Sequence, residues 1–163
     1  MQELPSHGHQ RPEQNKLKST AAPTPPAGAI FRNRTPRLVN LLWLDFQGKQ
    51  VTYTRNGLKS RHKMAMNTFE GHPWIFRDHI TGDKLVCYTD AESQKREVFF
   101  PIPFSEDYPH NTQVNIILPV YTLKERALQV VRSYIRSKDD CAKLQIPTTL
   151  QRELANPDVS INW

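Results

Sequence analysis

The chain has 163 residues, of which 37% are hydrophobic and 23% charged, so it can form one ordinary domain or two small ones. Its formal charge of +6 would suit an acidic partner, but no run of five or more basic residues occurs, which argues against nucleic-acid binding as the main function. No phosphate-binding glycine loop, nucleophile pattern or metal-ligand spacing is present, so we expect no enzyme, no metal site and no cofactor.

The cysteines and the hydropathy pattern indicate the cellular compartment in which the protein works. Cys87 and Cys141 lie far apart and fit no disulfide framework or zinc pattern, which favours a reducing environment. No signal-peptide core and no stretch of about 20 apolar residues occurs. We therefore expect a soluble intracellular protein without a membrane partner.

Residues 1–29 form the first segment, which contains five of the 13 prolines and almost no large apolar side chain. Such a stretch cannot bury enough apolar surface to offset the entropy lost on ordering. The composition predicts a disordered, proline-rich leader.

Residues 30–121 contain short apolar runs separated by turn residues, a pattern typical of β-strands. Pro101 and Pro103 indicate an edge or a strand end, because proline cannot donate to a central ladder. The spacing predicts an antiparallel β sandwich, with eight strand candidates: AIFRN, LVNLLWLDF, QVTYT, HKMAMNTF, HPWIFRD, DKLVCY, EVFFPIP and QVNIILPVY.

Residues 122–157 read as a small α domain of about three helices, followed by a tail at 158–163. Thr122 and Glu125 have the spacing of a capping box, so the first helix should begin at Leu123 and run to about Ile135. The stretch SKDDCAKL is a possible second helix. Pro147 suits the first position of a third.

The first helix is apolar over roughly 160° of its surface, more than one neighbour normally covers. Leu128, Val131 and Ile135 form a stripe that should face the small helices. A second stripe, which should face another protein, contains Leu123, Ala127, Val130 and Tyr134. The pattern alone also allows the stripe of Leu128, Val131 and Ile135 to pack on the sandwich.

Three long motifs in register resemble the von Hippel-Lindau tumour suppressor family: IFRNRTPRLVNLLWLDFQG, GHPWIFRD and LPVYTLKERALQVVRS. The likeness extends from about residue 30 to residue 157. It implies an eight-stranded β sandwich and a three-helix α domain. It also implies the substrate receptor of a cullin-RING ubiquitin ligase, which captures a prolyl-hydroxylated segment of hypoxia-inducible factor alpha.

The resemblance places a hydroxyproline pocket on Trp43, Tyr53, Thr68, His72 and Trp74, with Thr68 where the family has serine. Aromatic walls would cover the pyrrolidine ring, while the hydroxyl and the imidazole would satisfy the ligand's hydroxyl group. Residue types alone leave a plainer interpretation open, in which the two tryptophans fill the sandwich core.

The same resemblance implies two partners for the α domain. One is elongin C, paired with elongin B, and its implied contacts are Leu123, Arg126, Ala127, Val130, Tyr134, Leu144 and Leu150. The other is cullin-2 with its RING-box protein, for which the implied contacts are Lys124, Ile146 and Pro147. An ordinary amphipathic helix start would give the Ile146-Pro147 pattern as well.

The sequence also departs from the family. Its pocket-flanking histidine and tyrosine are replaced by Asn67 and Phe69, and two polar peptide contacts fall on Ala22 and Thr24. The loop near residues 87–100 looks longer, and the last family helix is missing. These differences leave open a paralogue that binds and shields hydroxyprolyl or other peptides without promoting their degradation.

Overall fold

The computed structural model describes residues 16–156, which contain eight strands. Each predicted strand run overlaps one of them, so the predicted number and order of strands are confirmed. Their bounds are β1 Pro26–Asn33, β2 Val39–Leu44, β3 Gln50–Thr52, β4 Lys63–Phe69, β5 Trp74–Asp78, β6 Val86–Thr89, β7 Val98–Phe99 and β8 Thr112–Ile117.

The strands form two four-stranded sheets, ordered β4-β1-β8-β6 and β3-β2-β5-β7. All pairs are antiparallel except β1 and β8, which run parallel. The prediction of an antiparallel β sandwich is confirmed, and this parallel pair is the exception within it. The first and last strands are separated by the other six, a connection long enough to permit parallel pairing.

Alternating side chains of the two sheets fill the space between them. Phe31 on β1 is fully buried and contacts three rings of the other sheet, with centroids at 5.2 Å for Trp74, 5.5 Å for Phe76 and 5.8 Å for Phe99. Trp74 thus belongs to the core, as the plainer interpretation of the tryptophans expected.

The predicted disordered leader is wrong for residues 16–29, while residues 1–15 lie outside the described part of the chain. Strand β1 begins at Pro26, and Ala27 and Ala29 are buried. Gly28 allows close packing, because a Cβ there would overlap Oδ1 of Asn111. The prediction considered only large apolar side chains. This segment is instead ordered by its small buried residues and by the backbone hydrogen bonds of β1.

Two α-helices and a 3-10 helix follow the sandwich, confirming the small helical part. They are α1 Leu123–Tyr134, the 3-10 helix Lys138–Lys143 and α2 Thr148–Ala155. The capping box is present: the Thr122 side chain accepts from the Glu125 amide, and the Glu125 carboxylate accepts from the Thr122 amide. Pro147 lies just before α2 rather than at its first position. The predicted tail at 158–163 lies outside the described residues.

Helix α1 packs on the other helices through Leu128, which forms a small buried core with Cys141 and Leu154. Ile135 packs against that core, as expected. Val131 does not, because 37% of it remains exposed. The inner face of α1 instead includes the buried Gln129. The predicted stripe was therefore wrong at Val131.

A charge network joins the α domain to the sandwich. Asp83, which lies between β5 and β6 and is 4% exposed, binds Arg132 of α1 through a short ion pair. The same arginine donates to the carbonyls of Leu154 at 3.2 Å and Glu153 at 3.1 Å. Arg37 lies 3.8 Å from the other oxygen of Asp83. One buried carboxylate thereby fixes the orientation of α1 and α2 relative to the sheets.

Candidate functional site

Five sequence-predicted residues meet at one end of the sandwich. Trp43 on β2 and Trp74 on β5 are cross-strand partners, which places them on the same face of the sheet. The Tyr53 ring lies 5.1 Å from Trp74 and 6.5 Å from Trp43, measured between centroids. His72, in the turn between β4 and β5, stacks on Trp43 at 5.5 Å. Thr68, near the end of β4, joins this cluster through its hydrogen bond with Trp74.

The Thr68 hydroxyl is the central polar group of this cluster. The side chain is 4% exposed, and its Oγ1 accepts a hydrogen bond of 3.1 Å from Nε1 of Trp74. Because indole can only donate, the hydroxyl retains its own proton and can donate it to a ligand. Trp74 is fixed in the core, so its hydrogen bond orients the Thr68 hydroxyl, the group that a polar ligand would contact.

His72 supplies the complementary acceptor. Gly71, with φ of 72°, adopts the left-handed conformation that this tight turn requires before the histidine. Partial burial lowers the pKa of His72 below its ordinary value of 6.5. The imidazole is thus neutral at pH 7, and one ring nitrogen can accept a hydrogen bond.

Three further residues support the site, of which only Phe69 was named from the sequence, as a pocket-flanking position. Phe46 packs edge-on against Trp43 at 5.5 Å, and Phe69 lies 5.4 Å from the His72 ring. The Ser19 hydroxyl accepts from Nε1 of Trp43 at 2.7 Å and fixes the indole. Phe46 follows its strand in a turn and Ser19 lies in the supposed leader, so no periodic signal marked either one.

A second surface lies on the outer side of α1. Leu123 is 88% exposed and Tyr134 is 83% exposed, and Ala127 and Val130 between them are also exposed. Arg126 borders this stripe, where its guanidinium donates to Gln129. Large apolar side chains in water on one helix face are typical of a protein interface.

The remaining sequence-predicted contacts lie on the other helices. Leu144, Leu150 and Ile146 are partly buried and pack against the small core of the α domain, so only part of each is available to a partner. Pro147 is exposed. Lys124 forms an ion pair with Glu153 at 2.9 Å, which brings α1 and α2 together at this edge.

These features give the chain two candidate binding surfaces: an aromatic cluster with the Thr68 hydroxyl and His72 on the β sandwich, and an exposed apolar face on the helical unit. Within residues 16–156, no group of three His, Cys, Asp or Glu side chains is placed to hold a metal ion. No helix in the same range is long and apolar enough to cross a membrane.

Comparison with known proteins identifies the family. Residues 18–102 match the model of the VHL beta domain, and residues 121–161 match the VHL box domain. The chain is also 30% identical to Protein Vhl of Drosophila melanogaster over 139 residues, covering 77% of this chain and 74% of that protein. The chain belongs to the VHL family. Membership supports a role in substrate recognition, and the VHL box indicates a partner of the elongin type.

Proposed function

We propose that this protein is the substrate-recognition subunit of an elongin B/C–cullin-2–RING-box ubiquitin ligase. It binds prolyl-hydroxylated hypoxia-inducible factor alpha and directs its ubiquitination and proteasomal degradation, in the cytoplasm and nucleus. The chain contributes binding and positioning, and ubiquitin transfer takes place on its partners. The observation that carries the proposal is the hydrogen bond from Trp74 to Thr68 inside an aromatic cluster that contains a neutral histidine.

These groups form an ordered hydrogen-bond chain around a ligand hydroxyl. Trp74 donates to Thr68, Thr68 donates to the hydroxyl oxygen of the ligand, and the ligand hydroxyl donates to His72. The aromatic rings of Trp43 and Tyr53 cover the pyrrolidine. An unhydroxylated proline would leave Thr68 and His72 without partners, at about 1 to 3 kcal/mol for each group.

Strand β4 offers a way to hold the peptide backbone. Among residues 16–156 it is an edge strand, so its side away from β1 presents amides and carbonyls next to Thr68 that pair with no other strand there. An extended peptide can add to this edge by main-chain hydrogen bonds while its hydroxyproline enters the pocket. Recognition of the hydroxyl would then set specificity, and the β4 edge would contribute general affinity.

The Thr68→Val variant tests the pocket. Valine preserves the branched shape and removes the hydroxyl, so we expect the preference for a hydroxyprolyl over a prolyl peptide to fall by about 10-fold or more, while elongin C binding persists. Thr68→Ser is the matched control and should retain the preference. A Thr68→Val protein that still prefers the hydroxylated peptide as strongly as wild type would remove Thr68 from the recognition mechanism.

The ionisation of His72 predicts a pH dependence of peptide binding. A ligand that covers the imidazole lowers its pKa further, because burial disfavours the charged form. Affinity for the hydroxyprolyl peptide should therefore be constant from pH 8 to about 6.5 and decrease below that value, as protonation of the free protein competes with binding. Titration calorimetry at a series of pH values measures this, with His72→Gln as the control that should bind with little pH dependence in that range.

The alternative is a paralogue that binds and shields hydroxyprolyl or other peptides without directing their degradation. Copurification of elongin C with the chain separates the two proposals. Retention of a stoichiometric elongin C supports the ligase subunit, and peptide binding without elongin C supports the shielding protein.

A further inference from the structure

The outer face of the sheet β4-β1-β8-β6 is a third surface, separate from the pocket and from the apolar stripe of α1. Phe31 and Asn33 are buried in the sandwich, so Arg32 between them points to the outer face. Residues that pair directly across strands share one face of a sheet. One row of outward side chains therefore crosses all four strands: Lys63, Arg32, Asn115 and Tyr88.

The fold gathers basic residues on this face that are scattered in the sequence. Arg34 follows β1, and its Nε donates to Oδ1 of Asn115 at 2.6 Å, which places the guanidinium over the row. Arg61 precedes β4, and its amide donates to the carbonyl of Asn33 at 2.8 Å, which holds this turn against β1. One open groove is lined by four cations: Arg32, Arg34, Arg61 and Lys63. A basic surface thus exists without a basic run in the sequence.

The protein itself does not neutralise this groove. Within residues 16–156, no carboxylate lies at ion-pair distance from any of the four cations. By contrast, Arg37 and Arg132 near the α domain both pair with acidic side chains. Asp90 lies toward the β6 side of the face, where it accepts from Nδ2 of Asn115 at 2.6 Å. The groove is therefore available to an anionic ligand.

Aromatic and amide side chains occupy other parts of the same face. Tyr88 is partly exposed at the β6 end of the row. Gly28 alternates with two buried alanines, and a Cβ on its outward side would meet Phe104 and Asn111, so these two side chains lie over the outer side of β1. Asn67 is the cross-strand partner of Gly28 and is exposed. Cations, rings and amides thus share one face, which extends about 14 Å along β4 from Lys63 to Asn67.

This combination fits single-stranded RNA better than other polyanions. The phosphate backbone can bind the basic groove while unpaired bases stack on the exposed rings of Tyr88 and Phe104. An acidic peptide would use the cations and leave the rings uncovered, and a duplex would keep its bases stacked on one another. An amide such as that of Asn67 can donate to and accept from base edges and 2′-hydroxyl groups, which favours RNA over DNA.

We propose that the outer face of the sheet β4-β1-β8-β6 binds single-stranded RNA. Phosphates bind in the basic groove, and bases stack on Tyr88 and Phe104. This activity goes beyond the proposed ligase function and does not depend on it. The hydroxyproline pocket uses the opposite side of β4, where Thr68 is buried and accepts a hydrogen bond from Trp74 of the other sheet.

Fluorescence anisotropy of a fluorescein-labelled, unstructured RNA of about ten nucleotides tests the proposal on the full chain. Replacing both Arg61 and Lys63 by glutamine should weaken binding about 10-fold at low salt. It should also reduce the slope of log affinity against log salt concentration by about 1.4, since two phosphate contacts are lost. The matched control, Lys49→Gln with Lys138→Gln, removes two exposed cations from the other sheet and the 3-10 helix and should leave that slope unchanged. Equal losses in the two double variants would contradict the assignment of the groove.

The rings are tested separately from the charges. Tyr88→Ala should weaken RNA binding about 5-fold or more, whereas Tyr88→Phe retains the ring and should bind like wild type. Thermal melts establish that each variant is folded, and if Tyr88→Ala is not, Phe104→Ala and Phe104→Tyr provide the same comparison. Full RNA affinity in a folded alanine variant would overturn the stacking contact and the choice of nucleic acid.

Competition experiments distinguish RNA from the other ligands. A DNA strand of the same sequence, an RNA duplex of the same length and a polyglutamate peptide should each displace the labelled RNA less effectively than unlabelled RNA does. A competitor that equals RNA would overturn the proposal and reassign the groove to its own class. The preference for a hydroxyprolyl over a prolyl peptide should persist in the Arg61 and Lys63 variant, so a failure of RNA binding leaves the proposed ligase function intact.

Discussion

Replacing Leu123 by aspartate is expected to eliminate binding of elongin C. Leu123 is the most exposed apolar side chain of α1, and a partner that covers it would bury an unpaired carboxylate in the variant. The loss should reach about 100-fold or more in affinity, the range of an interface hot spot. Copurification and titration of coexpressed elongins B and C measure it.

The fold of the variant should not be affected, because an acidic residue in the first turn interacts favourably with the helix dipole. Loss of elongin C binding would therefore result from the altered surface of α1 and not from unfolding of the helix. Tyr108→Asp is the matched control, since Tyr108 is 54% exposed on the sandwich, in the loop before β8. Unchanged elongin C affinity in Leu123→Asp would place this residue outside the interface.

Replacing Arg132 by methionine is expected to destabilise the protein by about 3 kcal/mol, because it leaves the buried carboxylate of Asp83 without its closest cation. Methionine retains much of the apolar stem. The estimate lies at the low end for a broken buried pair, since Arg37 remains near Asp83. Denaturant unfolding followed by circular dichroism gives the change in free energy.

Two further variants test the cause. Arg136→Met lies just beyond the same helix on the exposed surface and should change stability by less than about 0.5 kcal/mol. Adding Asp83→Asn to Arg132→Met removes the buried charge and should recover part of the loss. If Arg132→Met is as stable as wild type, the ion pair does not hold the two domains together.

Local patterns predicted much of the fold correctly. The capping box of Thr122 and Glu125 marks the start of α1 in the sequence, because its partners are three residues apart. The strand runs were found in the same way, from alternation and turn residues. What was missed depends on distant partners: the parallel pairing of β1 with β8, and the contact of Arg132 with Asp83, which is 49 residues away.

The candidate site, like the fold, could be predicted only in part. The five pocket residues were proposed from resemblance to a family, and the structure brings them together, but residue types alone could not have separated a pocket from a core. Trp74 explains why: it belongs to the core and also positions the Thr68 hydroxyl. Ser19 could not be inferred, because its role depends on a backbone path that the composition of residues 1–29 concealed.

The measurement that tests the central claim most directly is titration calorimetry of the full chain, coexpressed with elongins B and C, against a matched pair of peptides from hypoxia-inducible factor alpha. The two peptides differ only in the hydroxyl group of one proline. Because an unhydroxylated proline leaves Thr68 and His72 unpaired, the hydroxylated peptide should bind at least about 30-fold more tightly. Equal affinity for the two peptides would contradict recognition of hydroxyproline by this pocket.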